Sequence, residues 1–119
     1  MRAVLLVSHG SYSSKVKEEV GKLSETLKLM TGIEIFEYAF LEVEMPDIAA
    51  GLETCIQKGS TEILVLLNFL NSGRHVNNDI PSIVREIQDK HPHITIKLSQ
   101  PIGQHPKIKE LFVDLIRLT

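Results

Sequence analysis

The fold follows from one stretch near the start of the sequence, Ala3-Val4-Leu5-Leu6-Val7-Ser8, which His9-Gly10-Ser11 follows directly. Five consecutive apolar residues ahead of a turn signal are typical of a strand that is buried on both faces of a parallel sheet. The run is too short to cross a membrane, and no small-residue cleavage pattern follows it. We therefore expect a buried first strand here, with no membrane span and no secretory leader.

Three further runs rich in valine, isoleucine, leucine or phenylalanine are bounded by turn residues. The four predicted strands are Ala3 to Ser8, Ile33 to Leu41, Glu62 to Asn68 and Ile94 to Leu98. Polar and apolar residues are mixed in the second run, unlike in a fully buried strand, which favours a position at the edge of the sheet.

Apolar residues recur at three- and four-residue spacing after each strand, which predicts four amphipathic helices. We expect the first helix between Ser13 and Gly32, the second from Pro46, the third from near Asn78 and the fourth after Pro106. The residues expected to face the core are Val16, Val20, Leu23, Leu27 and Met30 in the first helix, Ile48, Leu52, Cys55 and Ile56 in the second, Ile83, Val84 and Ile87 in the third, and Ile108, Leu111, Phe112 and Leu115 in the fourth.

Strands that alternate with helices predict right-handed crossovers, and hence an α/β fold with a four-stranded parallel sheet and helices on both faces. The common strand order for such a flavodoxin-like sheet is 2-1-3-4. A chain of 119 residues is long enough for one ordinary domain. We therefore expect residues 1–119 to form a single domain.

Composition narrows the classes of function. Apolar residues make up 43% of the chain and charged residues 24%, as in globular proteins. The net charge is -2 and the 13 basic residues are scattered, so we expect no surface that binds nucleic acid. The one cysteine, Cys55, can form neither an internal disulfide nor a thiolate zinc site, which favours a cytoplasmic protein.

The carboxyl ends of parallel strands open on one edge of the sheet, where ligands bind. His9 directly follows the first strand, and the segment Asn68-Phe69-Leu70-Asn71-Ser72-Gly73-Arg74-His75 follows the third. In the order 2-1-3-4 these two loops are neighbours. We therefore expect His9 and His75 to approach each other.

This pair of histidines predicts a metal site with catalytic potential. Two neutral imidazoles are good ligands for divalent cobalt, nickel, iron or zinc, and Glu42 after the second strand can complete a sparse site with open positions. Because an imidazole is largely unprotonated at neutral pH, His9 and His75 are candidate bases as well as metal ligands. Ser11, Glu42 and Arg74 are the candidate substrate-binding residues. Ser11, Arg74 and the loop amides are the donors that can hold substrate carboxylates.

The other histidines have ordinary explanations. His91 and His93 flank a proline at the opposite edge of the sheet, so we expect them to be exposed turn residues. His105 precedes a proline at a helix start, where it can act as a cap. Asp79 and the two asparagines before it are likewise explained as capping residues.

Five short segments, spread over nearly the whole chain, form an ordered pattern. They are Val7-Ser8-His9-Gly10-Ser11, Phe40-Leu41-Glu42 ahead of Pro46, Phe69-Leu70 with Gly73 and His75, Asp79-Ile80-Pro81, and Pro101-Ile102-Gly103. A single segment such as His-Gly-Ser is only a weak indication of a family, but the five segments together, in this order and at these spacings, are fairly specific for one. In this pattern the chain resembles the small sirohydrochlorin chelatases of the CbiX type, which are class II tetrapyrrole chelatases.

The resemblance implies a chelatase-like fold and the insertion of cobalt, iron or nickel into sirohydrochlorin, for cobalamin, siroheme or a related cofactor. The divalent ion is then a substrate, the two metal-site histidines of the family correspond to His9 and His75, and the implied assembly is a homodimer. The chain departs from the family pattern at Met45, where glutamate is frequent, at Leu67-Asn68, where proline is usual, and at Asn71-Ser72.

Three other functions fit parts of the sequence. A histidine phosphatase or mutase would use a histidine after the first strand, but Ser8 stands where those enzymes have arginine. A metal- or tetrapyrrole-binding relative that does not insert the ion would account for the change at Met45. Flavin or nucleotide binding needs a glycine-rich loop, and residues 8–13 contain one glycine, so we expect no organic cofactor.

Overall fold

The computed structural model describes residues 1–119, in which four parallel strands form one sheet. The strands are β1 (Arg2–Ser8), β2 (Ile35–Phe40), β3 (Glu62–Leu67) and β4 (Thr95–Leu98), and the helices are α1 (Ser14–Thr31), α2 (Ile48–Gln57), α3 (Ile80–Lys90) and α4 (Ile108–Arg117). A π-helical turn (His75–Asp79) leads directly into α3, and a 3-10 turn (Ile102–Gln104) lies before α4.

The strand order is β2-β1-β3-β4 and every pairing is parallel, which confirms the predicted α/β architecture. β1 lies between β2 and β3, so both of its faces are covered and every residue from Ala3 to Ser8 is buried. β2 lies at an edge, as its imperfect alternation predicted. None of the helices is both long enough and apolar enough to cross a lipid bilayer.

The two faces of the sheet are covered unequally. Odd-numbered residues of β1 such as Leu5 pack with α2 and α3 in a cluster of 16 buried residues. Even-numbered residues such as Leu6 pack with α1 in a cluster of 5 buried residues. We call this second side the α1 face. Its β3 residues, Leu64 and Leu66, are only half-buried.

Cys55 lies in the larger core, as predicted, and its side chain is fully buried. Burial raises the pKa of the Cys55 thiol to about 12, and the Glu37 carboxylate adds to the rise. Because the thiolate is the reactive form, this cysteine is inert at neutral pH.

The predicted core residues of α2 and α3 are buried or half-buried, and those of α1 are only partly so. Val20 is buried, but Leu23 is 40% exposed and Met30 is 77% exposed. An 18-residue helix is about 27 Å long, whereas the six residues that pair β1 with β2 span about 20 Å. α1 is therefore longer than the paired part of the strands that it lies against.

The prediction that α4 packs on the core is wrong. No residue of α4 is buried, and Leu111, Phe112 and Leu115 are each more than half exposed. The amphipathic spacing shows that a helix has an apolar side, but it does not show which surface covers that side. Here α4 packs mainly against the 3-10 turn that precedes it, and its apolar side is largely exposed, with Ile108 half-buried.

Gly51 allows α2 to lie directly on the sheet, and we expect Gly51→Ala to destabilise the protein. A Cβ at this position would lie 2.7 Å from Cδ1 of Leu5 and 3.0 Å from Cβ of Ala39. Overpacking of this kind costs about 1–3 kcal/mol, which exceeds the gain of up to about 1 kcal/mol in helix propensity. Urea unfolding should show a net loss of up to about 2 kcal/mol in the free energy of unfolding.

Gly21→Ala in α1 is the matched control, because its Cβ would meet only Cε2 of Tyr38, at an ordinary contact distance of 3.8 Å. This variant should be as stable as the unmodified protein or up to about 1 kcal/mol more stable. If Gly51→Ala were equally stabilising, the close approach of α2 to the sheet would be wrong.

Candidate metal centre

Three side chains that can bind a metal ion meet at the carboxyl edge of the sheet. His9 directly follows β1, Glu42 follows β2, and His75 begins the π-helical turn after β3. One nitrogen of each histidine and one oxygen of the carboxylate lie within 4.8 Å of one another. The two imidazole centres are 5.6 Å apart. The structure thus brings His9, Glu42 and His75 into one donor set.

The geometry of this donor set suits a divalent ion. His9 Nε2 and Glu42 Oε1 are 3.0 Å apart, and two donors that bind one ion at a right angle, each about 2.1 Å from it, are separated by about 3.0 Å. The side chains of His9, Glu42 and His75 are each about half exposed. An ion held by these three donors would keep coordination positions open on the solvent side.

Gly10 allows the loop after β1 to lie against the loop after β2. Its φ is +108°, and a Cβ here would lie 1.9 Å from the carbonyl oxygen of Glu42. The backbone N–H of Leu41 donates to the Ser8 carbonyl, and that of Glu42 donates to the His9 carbonyl, at 2.9 and 3.1 Å. Pairing therefore continues past the strand ends and holds the Glu42 backbone beside that of His9.

The loop that carries Glu42 turns sharply at Val43. The φ of Val43 is +73°, and the N–H of Glu44 donates to the carbonyl of Glu42 at 2.8 Å, so the three residues form a γ-turn. A β-branched residue is disfavoured in the left-handed region, and such strain persists only where its surroundings enforce it. The strained residue is the immediate neighbour of a candidate ligand.

Asp79 orients His75. His75 Nδ1 lies 2.7 Å from Asp79 Oδ2, one turn further along the same helical segment. With Nδ1 engaged by the carboxylate, Nε2 is the nitrogen left for an ion, which is the arrangement of carboxylate–histidine–metal triads.

The interpretation of Asp79 as a capping residue is wrong, since its side chain makes no capping hydrogen bond to α3. The signal in the sequence was the four-residue spacing of His75 and Asp79, which places both on one side of a helix.

Asn68 ties the loop after β3 to the loop after β1. Its side-chain amide donates to Ser8 Oγ at 3.0 Å, and its backbone N–H donates to the Val7 carbonyl at 2.9 Å. Proline at position 68 would provide neither donor. The Asn68 side chain therefore cross-links the ends of β1 and β3 next to His9.

The remaining predicted substrate residues flank the donor set. Ser11 Oγ accepts a hydrogen bond from the backbone N–H of Ser13 at 3.0 Å. Arg74 is exposed immediately before His75 and makes no ion pair within the chain. Its guanidinium is therefore free to bind an anion.

The other histidines lie outside the donor set. His93 is exposed, as predicted, but His91 is half-buried because its Nε2 lies 3.0 Å from Glu53 Oε1 and links the end of α3 to α2. His105 accepts a hydrogen bond from the backbone N–H of Lys107 through Nδ1 at 3.1 Å, just before α4, whose first residue it does not cap.

Comparison with known proteins identifies relatives over the full chain. A family model described as CbiX matches residues 3–119. A sirohydrochlorin ferrochelatase of Priestia megaterium is 30% identical over 119 residues, which is all of this chain and 45% of the relative. A sirohydrochlorin cobaltochelatase of Saccharolobus islandicus is 30% identical over 125 aligned residues, which cover all of this chain and 96% of the relative.

Solved structures share the same fold. The sirohydrochlorin chelatase SirB from Bacillus subtilis subspecies spizizenii, in complex with cobalt, superposes with a TM-score of 0.89 at 29% identity, over 98% of this chain and 50% of that one. A putative cobalamin biosynthesis CbiX protein from Marinobacter aquaeolei VT8 gives a TM-score of 0.83 at 25% identity, over 99% of this chain and 93% of that one.

The chain spans less than half the length of several curated relatives that it matches, at 45%, 39% and 36% of their sequences, whereas other members have nearly its own length. Since the family model extends over residues 3–119 and the strand order, fold and sequence agree with those relatives, this chain belongs to the CbiX family.

Proposed function

We propose that this protein is a sirohydrochlorin chelatase, which inserts divalent cobalt, iron or nickel into sirohydrochlorin for cobalamin, siroheme or a related cofactor. The observation that carries the proposal is the open donor set of His9, Glu42 and His75 at the carboxyl edge of the sheet. Relatives named sirohydrochlorin ferrochelatase and cobaltochelatase support the tetrapyrrole substrate and two of the metals.

Metal insertion exchanges two pyrrole protons for one divalent ion, and the two histidines are suited to both halves of this exchange. As the ion passes from His9 and His75 to the macrocycle nitrogens, each imidazole regains a lone pair that can accept one pyrrole proton. Glu42 lies beside His9 and Asp79 beside His75. A carboxylate therefore stands next to each imidazolium that forms.

Arg74 and Ser11 are the proposed contacts to the substrate's carboxylates. Arg74 has no partner within the chain and can pair with a carboxylate through two N–H groups, which orients a planar ligand. A tetrapyrrole is wide for a domain of this size, so we also propose that the protein acts as a homodimer.

A second candidate function is a carrier that binds the ion or the tetrapyrrole without inserting metal. The observation that favours it is Met45, which is 60% exposed on the loop after Glu42 and supplies no carboxylate to the mouth of the site. The insertion assay below distinguishes the two functions.

We expect His9→Ala and His75→Ala to abolish metal insertion, because each removes both a ligand and a proton acceptor. Cobalt affinity is measured by calorimetry without tetrapyrrole. It should fall by at least ~10–100-fold, which is the loss that follows removal of a residue that only hydrogen-bonds to a metal ligand. Insertion is measured from the absorbance of sirohydrochlorin with cobalt, iron and nickel in turn.

His93→Ala is the control for both variants, because His93 is exposed at the opposite edge of the sheet. The cobalt affinity and the rate of metal insertion of this variant should equal those of the unmodified protein. Tight binding by the unmodified protein without conversion of the spectrum would favour the carrier, and unchanged insertion by both alanine variants would exclude this site.

We expect Asp79→Asn to weaken cobalt binding by about 10–100-fold, as loss of an outer-shell carboxylate does elsewhere. An asparagine amide can donate to His75 Nδ1 and so favour the tautomer whose Nε2 carries the proton that an ion must displace. Nitrogen-15 NMR of the imidazole reports this tautomer directly. The unmodified protein should carry the proton on Nδ1 of His75.

Asp89→Asn makes the same change of charge at the exposed far end of α3 and should alter neither affinity nor tautomer. If Asp79→Asn kept both the affinity and the Nδ1–H tautomer, Asp79 would have no orienting role.

A further inference from the structure

Val43 is the only residue other than glycine with a positive φ, and valine is poorly suited to that conformation. Branching at Cβ makes it a steric outlier in this region, where glycine and asparagine are tolerated. The turn that it forms at a φ of +73° is the rare and strained form of the γ-turn. Its side chain is 50% exposed, so burial in the core does not compensate for the strain.

The loop that contains Val43 is fixed at both ends. Its first end is the paired end of β2, where the N–H of Phe40 donates to the Pro46 carbonyl at 2.9 Å. Its other end is Asp47, which forms an isolated bridge with Phe40 and caps α2 through its side chain. Only residues 41–45 lie between these anchors. The chain therefore has to loop back to Phe40 within them, and this constraint enforces the tight turn.

Glu42 is held by one hydrogen bond that the turn provides and by one that it does not. Its carbonyl accepts from the N–H of Glu44 at 2.8 Å, across Val43, whereas its N–H donates to the His9 carbonyl at 3.1 Å, ahead of the turn. The strain at one such residue is of the same order as the net contribution of the single bond that closes the turn. A second arrangement, with Val43 relaxed and the Glu44 bond broken, would therefore lie close in free energy.

Opening of the turn would withdraw the Glu42 carboxylate from a bound ion. Because both ends of the loop are fixed, a change of φ at Val43 has to be taken up by the torsions of its neighbours, of which Glu42 is one. The Glu42 carboxylate lies 3.0 Å from His9 Nε2, and its side chain is half exposed, so little packing opposes its movement. His9 and His75 lie outside this loop and would keep their positions.

We infer that Val43 is a positioning residue that makes Glu42 a releasable metal donor. The strained turn holds the carboxylate against the ion while the ion is bound. It opens as the ion is transferred, when the bond between the metal and the Glu42 oxygen breaks and a macrocycle nitrogen takes its place. The inference rests on the proposed insertion reaction. A residue that adopts a positive φ without strain would hold Glu42 more firmly, and would favour binding of the ion over its transfer.

Val43→Asn and Val43→Gly test the inference with cobalt alone, because both residues tolerate a positive φ. Cobalt affinity, measured by calorimetry, should rise about 5-fold or more, which is the lower end of what relief of one strained residue supplies. The urea midpoint of unfolding should also rise in Val43→Asn, which does not add the chain entropy that glycine adds to the unfolded state. Val43→Ile keeps the branch and the strain, so its affinity and midpoint should match those of the unmodified protein.

A double-mutant cycle shows whether Val43 acts through Glu42. In a Glu42→Gln background, the gain in cobalt affinity from Val43→Asn should fall below about 2-fold, because the carboxylate that the turn holds is gone. A gain of the same size in both backgrounds would mean that Val43 does not act through Glu42, and would overturn the inference.

Transfer is measured in a single turnover, by mixing protein that has been loaded with cobalt with sirohydrochlorin. In Val43→Asn the rate constant should fall by about the factor by which the cobalt affinity rises, at an unchanged half-saturating concentration of tetrapyrrole. A raised half-saturating concentration with unchanged cobalt affinity would mean that the Val43 side chain contacts the substrate instead, and would overturn the inference. Cobalt affinity that is unchanged or lower in both variants would do the same.

Failure of the proposed function gives a different result. An unmodified protein that binds cobalt but converts no sirohydrochlorin would contradict metal insertion and the release of Glu42 during it. The gain in cobalt affinity and its dependence on Glu42 would then still show that Val43 positions this donor.

Discussion

β1 is held between β2 and β3 by parallel backbone hydrogen bonds, and the position of every donor atom in the site depends on this pairing. The three strands end at nearly the same level, and bonding continues beyond them, from Leu41 and Glu42 to Ser8 and His9 and from Asn68 to Val7. The donors therefore come from three loops with rigid bases. Positioning of this kind keeps exposed side chains close together without burying them.

Much of this arrangement follows from pattern alone. Alternation of strands and helices predicts the parallel sheet, the order 2-1-3-4 makes the first and third loops neighbours, and His9 and His75 are the residues that these loops carry. Cys55 was placed in the core by helical spacing and is buried there. These predictions succeed because each depends on a regular period or on topology, which one chain specifies by itself.

The predictions that failed depend on what a side chain meets in three dimensions. The sequence predicts that Asp79 is a cap because it lies where a helix is expected to begin, whereas the π-helical turn continues the helix back to His75 and places the Asp79 carboxylate against that histidine. The close approach of Gly10 to the Glu42 carbonyl and the positive φ of Val43 leave no trace in a single sequence. The prediction that α4 packs on the core failed for a different reason. Periodicity predicts that a helix has an apolar side but not whether its own chain covers that side.

Exposure of the donor set is itself suited to the transfer of an ion. A structural metal site has four donors enclosed by protein and releases its ion with difficulty, whereas three half-exposed donors leave coordination positions open to incoming ligands. In the proposed insertion reaction, macrocycle nitrogens would occupy those positions before the histidines release the ion, so the ion would not return to water between the two. In the same proposal, the carboxylate of Asp79, 2.7 Å from His75 Nδ1, would fix the His75 tautomer without enclosing the site. A fourth protein donor would strengthen binding and, by filling the position that the macrocycle needs, would slow the transfer that the open edge allows.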